Sequence, residues 1–171
     1  MTRPAIEFVP DFYKGYVQLV KDFDVIEALT KSSAHTLELI RSIPETQGEY
    51  RYAEGKWSIK ELINHMMDAE RIMSYRALRF ARNDKTALHG FEENDYAPEA
   101  NAHARTLWQL SNEMERLRAT TLDLFNSLTP VMLERNGTAN HNSFSVLTMG
   151  YIIAGHESHH RKILQERYLT K

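Results

Sequence analysis

The chain is 171 residues long, 42% apolar and 26% charged, with a formal net charge of −2 and no cysteine. Its length suits one domain, residues 1–171, with a substantial core. The charge balance lacks the basic excess that nucleic acids and anionic membranes attract, and the lack of cysteine excludes disulfides, thiolate metal ligands and a cysteine nucleophile.

In chain order, residues 1–10 hold no apolar core of signal-peptide length, and no stretch approaches the roughly 18 apolar residues of a membrane span. A soluble cytoplasmic protein is expected. Residues 11–20 predict a helical turn or two leading into the body of the fold. Ile26, Leu29, Leu37 and Ile40 recur at helical spacing within residues 23–43, a helix starting at Phe23 and stopped by Pro44. Residues 44–56, with Gly48, Gly55, Tyr50 and Tyr52, read as a loop. Ser58 followed by Glu61 is a capping box, in which the serine oxygen and the glutamate carboxylate each satisfy an orphan backbone N–H. It opens a helix to about residue 81, whose stripe runs Leu62, His65 and Met66, Ala69, Ile72 and Met73, Arg76 and Phe80.

Residues 83–100 contain Gly90, Pro98 and few apolar side chains, the pattern of a long connection. Leu107, Leu110, Met114, Leu117, Thr121 and Leu124 mark a further long helix within residues 101–128. Residues 129–143, with Pro130, Gly137 and three asparagines, read as another loop. The last helix covers about residues 144–168, with Val146, Met149, Ile153, His156, His160, Ile163 and Leu164 on one stripe. No β alternation or repeat stands out. Four long amphipathic helices with short or medium connections predict an all-α four-helix bundle.

The run His156-Glu157-Ser158-His159-His160 carries the chemistry. Four residues advance a helix by about 400°, so His156 and His160 stack one turn apart on the buried stripe. Buried ring nitrogens need partners, and two at this spacing can grip one divalent ion. His65, on the stripe of another helix, offers a third neutral imidazole. Three imidazoles plus solvent make an open, reactive site, with zinc and nickel foremost among the ions it suits. His65 lies near the start of its helix and the other two lie toward the end of theirs. At about 1.5 Å of rise per residue, the three meet at one depth if those helices run antiparallel. A crossover through residues 83–100 would permit that.

Trp57 with His65 eight residues on, the loop Leu88-His89-Gly90-Phe91, and the ending Ile153-Ala154-Gly155-His156-Glu157-Ser158-His159-His160 together resemble the DinB superfamily. The resemblance spans about residues 13–168 and implies an up-down-down-up bundle. It implies a divalent metal held by three histidines, matched here by His65, His156 and His160. It also implies a homodimer acting on a small-molecule substrate. The family includes transferases that join low-molecular-weight thiols to substrates, and an isomerase that uses such a thiol as cofactor. The reaction expected is transfer of a low-molecular-weight thiol, supplied in trans, to a small electrophile. A metal-dependent hydrolase is one alternative; a bundle that metal merely braces, or a sensor, is the other.

The same run matches H-E-x-x-H, the zinc-protease signature. Its extended form wants glycine and histidine where Ile163 and Glu166 stand, and no strand is expected to align a peptide. Glu157-x-x-His160 is half of a di-iron motif whose other half is missing. Glu157 reads as a salt-bridge partner, His159 as a supporting or dimer-facing residue, and Glu61 as a cap. Tyr50, Tyr52 and Trp57 are expected at a substrate mouth or in a hydrophobic lid. Arg71, Arg76 and Arg161 are candidates to receive an anionic thiol, with solvated helix faces as the commoner fate. His35, His89, His103 and His141 show no ligand spacing.

Overall fold

The computed structural model describes residues 3–22 and 24–170. Among them lie α1 (Asp11–Leu19), α2 (Val25–Ser42), α3 (Ile59–Ala81), α4 (Glu93–Glu99), α5 (Leu107–Asn126), α6 (Pro130–Glu134) and α7 (Val146–Ile163). A short antiparallel hairpin, β1 (Asn136–Ala139) and β2 (Asn142–Ser145), precedes α7.

The helix starts are set by side-chain caps. Asp24 accepts from the Ile26 and Glu27 amides and opens α2; Phe23, the expected start, lies outside the described residues. Ser58 and Glu61 form the expected capping box of α3. Thr106 and Gln109 form a second box, so α5 begins at Leu107 rather than near Asn101, which sits in the left-handed region at φ 50°.

Two layers of core fix the direction of each long helix. One gathers Val25 and Leu29 from the start of α2, Ala77 and Phe80 from the end of α3, Phe125 from the end of α5, and Val146 and Met149 from the start of α7. The other gathers Leu37 and Ile40, Ile59 and Leu62, Leu107 and Leu110, and Leu164 and Tyr168. The helices α2 and α7 therefore run one way and α3 and α5 the other: up, down, down, up. The segment between α3 and α5 makes the crossover. Within this long connection lie α4 and a bridge from Leu88 to Ala139.

Residues 129–143, expected as a plain loop, hold α6 and the hairpin instead. Asn140 and His141 both have positive φ, the geometry of a tight hairpin turn, without the glycine that usually announces it. Phe144, expected to start the last helix, is a buried residue of β2. Ser145 caps α7, which continues through a π-helical turn, Leu164–Tyr168. No helix among the described residues is long and apolar enough to cross a membrane.

Candidate metal centre

The antiparallel pairing of α3 and α7 brings His65 to the same level as His156 and His160. His156 Nε2 lies 3.1 Å from His65 Nε2 and 3.1 Å from His160 Nε2. The three candidate ligand nitrogens all fall within 4.8 Å of one another. A ring nitrogen has either one proton or one lone pair, so His156 Nε2 can serve only one of its two neighbours well. A cation at the centre would take a lone pair from each ring. Two nitrogens about 2.1 Å from one ion lie about 3.4 Å apart at a tetrahedral angle and about 3.0 Å apart at a right angle. Both spacings from His156 fall in that interval and the third pair is within 4.8 Å, so the donor set fits a first-row divalent metal.

The rings are held in the neutral form that ligation needs. Burial pushes the His65 imidazole down to about 4. Burial, and then repulsion from neighbouring imidazoles, holds His156 and His160 well below the usual histidine value. In the metal-free protein this affects stability. Above about pH 6.5 their full contribution is present. As pH falls from there through about 4, the unfolded chain binds protons that the folded trio refuses, and stability is lost. Urea midpoints measured without metal should fall between pH 7 and pH 5, and fall less in His160→Ala. A midpoint that fell equally in both proteins would contradict this assignment.

Beneath the histidines lies a buried ionic network. Arg118 on α5 donates to both carboxylate oxygens of Glu70 on α3, at 2.8 and 2.9 Å, and to Glu157 Oε2 on α7 at 2.6 Å. Ser32 on α2 donates to the same Glu157 oxygen at 2.9 Å. Two carboxylates and one guanidinium leave a formal charge of −1 near the trio, which favours a cation there. Glu157 Oε1 and His160 Nδ1 are buried with no hydrogen-bond partner among the described residues.

The histidines share a cavity of about 110 Å³ with Phe12, Tyr13 and Tyr16 of α1, and with Trp57, Phe91 and Glu93 from the loops and α4. The approach of α1 depends on Gly155, where an added Cβ would lie 2.1 Å from the Tyr16 backbone oxygen. That closeness sets the Tyr16 ring edge-on to His156 and His159, at 5.3 and 5.2 Å. Gly155→Ala is expected to force α1 outward and to cost about 1–3 kcal/mol, read as a lower thermal midpoint. An unchanged midpoint would contradict this packing. At the other end, Tyr168 donates to the Trp57 backbone oxygen at 2.8 Å, and the Trp57 ring rests 4.7 Å from His65.

Other expected residues take different places. Trp57 lines the cavity, whereas Tyr50 and Tyr52 pack on Tyr168 as part of a lid. Glu61 is taken up by the Ser58 amide and Arg51 and gives nothing to His65. Glu157 does form a salt bridge, but a buried one. The three arginines considered for an anionic thiol are engaged elsewhere. Arg71 pairs with Asp68 and Glu113, Arg76 donates to the His89 carbonyl, and Arg161 to the Ser32 carbonyl. None lines the cavity.

A family model described as the DinB superfamily matches residues 28–164. The chain belongs to the DinB superfamily. Among its relatives is OB0413 of Oceanobacillus iheyensis, named as a candidate metal-dependent hydrolase. It is 26% identical over 144 residues, covering 80% of this chain and 81% of the relative. YfiT of Bacillus subtilis, described as a candidate metal-dependent hydrolase of unusual four-helix bundle topology, superposes with a TM-score of 0.73. It is 13% identical, with 97% of this chain and 90% of YfiT covered. The mycothiol-dependent maleylpyruvate isomerase superposes with a TM-score of 0.68 at 13% identity, over 95% of this chain and 62% of that one. At such identities the two structures share the DinB bundle fold with this chain and carry nothing finer.

Proposed function

We propose that this DinB-superfamily protein is a metal-dependent enzyme acting on a small molecule, with His65, His156 and His160 as the metal ligands. The observation that supports this reading is the convergence of three neutral imidazole nitrogens on one point at the wall of an aromatic cavity. A divalent ion held there would supply Lewis acidity, lowering the pKa of a water or thiol nucleophile toward neutrality. The chain's own residues do the rest. Arg118 holds Glu157 in place, Trp57 and Tyr16 fix the His65 and His156 rings by edge and face contacts, and the apolar walls exclude bulk water.

Hydrolysis, with water as nucleophile, is the reaction favoured, because among the described residues no lysine or arginine lines the cavity to receive an anionic thiol cofactor. Transfer of a low-molecular-weight thiol to a small electrophile is the second reading. It requires a thiol that does not depend on those cations. A panel of small esters, amides and electrophiles, assayed with and without added thiols, separates the two. Turnover is expected in metal-loaded protein and is expected to vanish on metal removal and in His160→Ala. Turnover that survives complete metal removal would overturn the proposal.

A further inference from the structure

The charged side chains that line the cavity are all acidic, which bears on its substrate. Besides the histidines and the phenols of Tyr13 and Tyr16, its ionisable lining residues among the described residues are Glu70, Glu93 and Glu157. Glu70 and Glu157 are spent on Arg118. Glu93, at the start of α4, is half-buried, and its carboxylate makes no hydrogen bond or salt bridge among the described residues. Beside it stand three aromatic rings of α1. Phe12 lies 5.0 Å from Tyr13 and 6.1 Å from Tyr16, and the two tyrosines lie 6.3 Å apart, centroid to centroid.

The two phenols feel the carboxylate. Burial raises both above the usual tyrosine value; at Tyr16 the charge of Glu93 is the next cause and acts in the same direction, whereas at Tyr13 the opposing pull of Arg76 outweighs it. Arg76 hydrogen-bonds Tyr13 and the His89 carbonyl and keeps its charge there, but it is not among the residues that line the cavity. Tyr16 carries no such contact among the described residues, so the cation-attracting side of the cavity is the one formed by Tyr16, Phe12 and Glu93. Ring faces carry negative potential, and an unpaired carboxylate among them makes a site that attracts cations and repels anions.

We propose that the cavity takes a small substrate bearing a positively charged ammonium group, seated among Phe12, Tyr13 and Tyr16 against the Glu93 carboxylate. The histidine trio then meets the uncharged end of that substrate. As an assignment of substrate class this rests on the cavity being the active site, as proposed above. The ammonium subsite itself needs no metal.

Choline and 3,3-dimethyl-1-butanol have the same shape and differ in one charge, and neither depends on metal ligation to bind. Each is titrated into the metal-loaded full-length protein, following the Trp57 indole signal by NMR. Choline is expected to bind about tenfold more tightly than its neutral counterpart. In Glu93→Gln that preference should shrink to about twofold, with helix content and metal content unchanged. Equal binding of the two probes, no binding of either, or a preference undiminished in Glu93→Gln would each overturn the proposal. Metal analysis of the same samples separates the two readings. A choline preference in protein that binds no metal would sink the metalloenzyme reading alone, and bound metal without that preference would sink the subsite alone.

Discussion

Replacing Arg118 with alanine is expected to cost about 3–5 kcal/mol of folding stability, seen as a large fall in the urea midpoint. The side chain is 3% exposed and reaches three helices other than its own. It donates to Glu70 on α3, to Glu157 on α7, and to Ser32 Oγ and the Leu29 carbonyl on α2. Its removal strands two buried carboxylates in a region from which water is excluded. Much of the penalty would come from those uncompensated charges rather than from lost packing. A triple variant, Glu70→Leu with Arg118→Met and Glu157→Leu, should therefore recover most of the stability. It should also bind metal more weakly, because the net negative charge beside the histidines is gone. A loss below about 1 kcal/mol in Arg118→Ala would mean the network is solvated rather than buried.

Replacing His156 with alanine is expected to reduce divalent-metal affinity by more than the roughly 10–100-fold typical of losing an outer-shell partner. His156 is the shared vertex of the trio, its Nε2 3.1 Å from both others, so its loss leaves an ion only two ligands, one from each helix. Zinc or nickel at a hundredfold excess over Kd should stabilise the wild type by about 2.7 kcal/mol, read as a higher thermal midpoint. His156→Ala should show little of that response while keeping its helical circular dichroism. Competition against a metal-chelating dye measures the affinity. Equal affinity in variant and wild type would place the metal elsewhere.

Much of this arrangement was legible in the sequence because it rests on local signals. The stripe of α3, its Ser58–Glu61 box, and the i, i+4 pair His156 and His160 are each readable within a turn or two. So was the relative depth of His65 and the pair His156 and His160, which favoured antiparallel helices and a crossover to permit them. The misses have physical causes. The hairpin strands are Asn-Gly-Thr-Ala and Asn-Ser-Phe-Ser, poor in the β-branched and aromatic residues that mark strands, and their turn is Asn140-His141. Without glycine the turn leaves almost no trace.

The buried network was missed for a different reason. Arg118 follows Met114 by four residues and precedes Thr121 by three, so it occupies the stripe of α5, and Glu70 follows Met66 in the same way on α3. A charge at a stripe position was the available sign, but its partner lies 48 residues away and only the fold brings them together. The role of α1 was equally hidden. Nothing in residues 11–19 shows that Gly155, far along the chain, is the groove that seats Tyr16 over the histidines.

The central claim is that three histidines from two antiparallel helices hold one metal ion. Elemental analysis of protein purified without a metal-affinity tag, set beside His65→Ala, tests it most directly. His65 is the informative position because it alone comes from α3. The wild type should carry about one equivalent of a divalent metal per chain, and the variant little or none. A wild type that stays metal-free after zinc, nickel and iron have each been offered would contradict the claim.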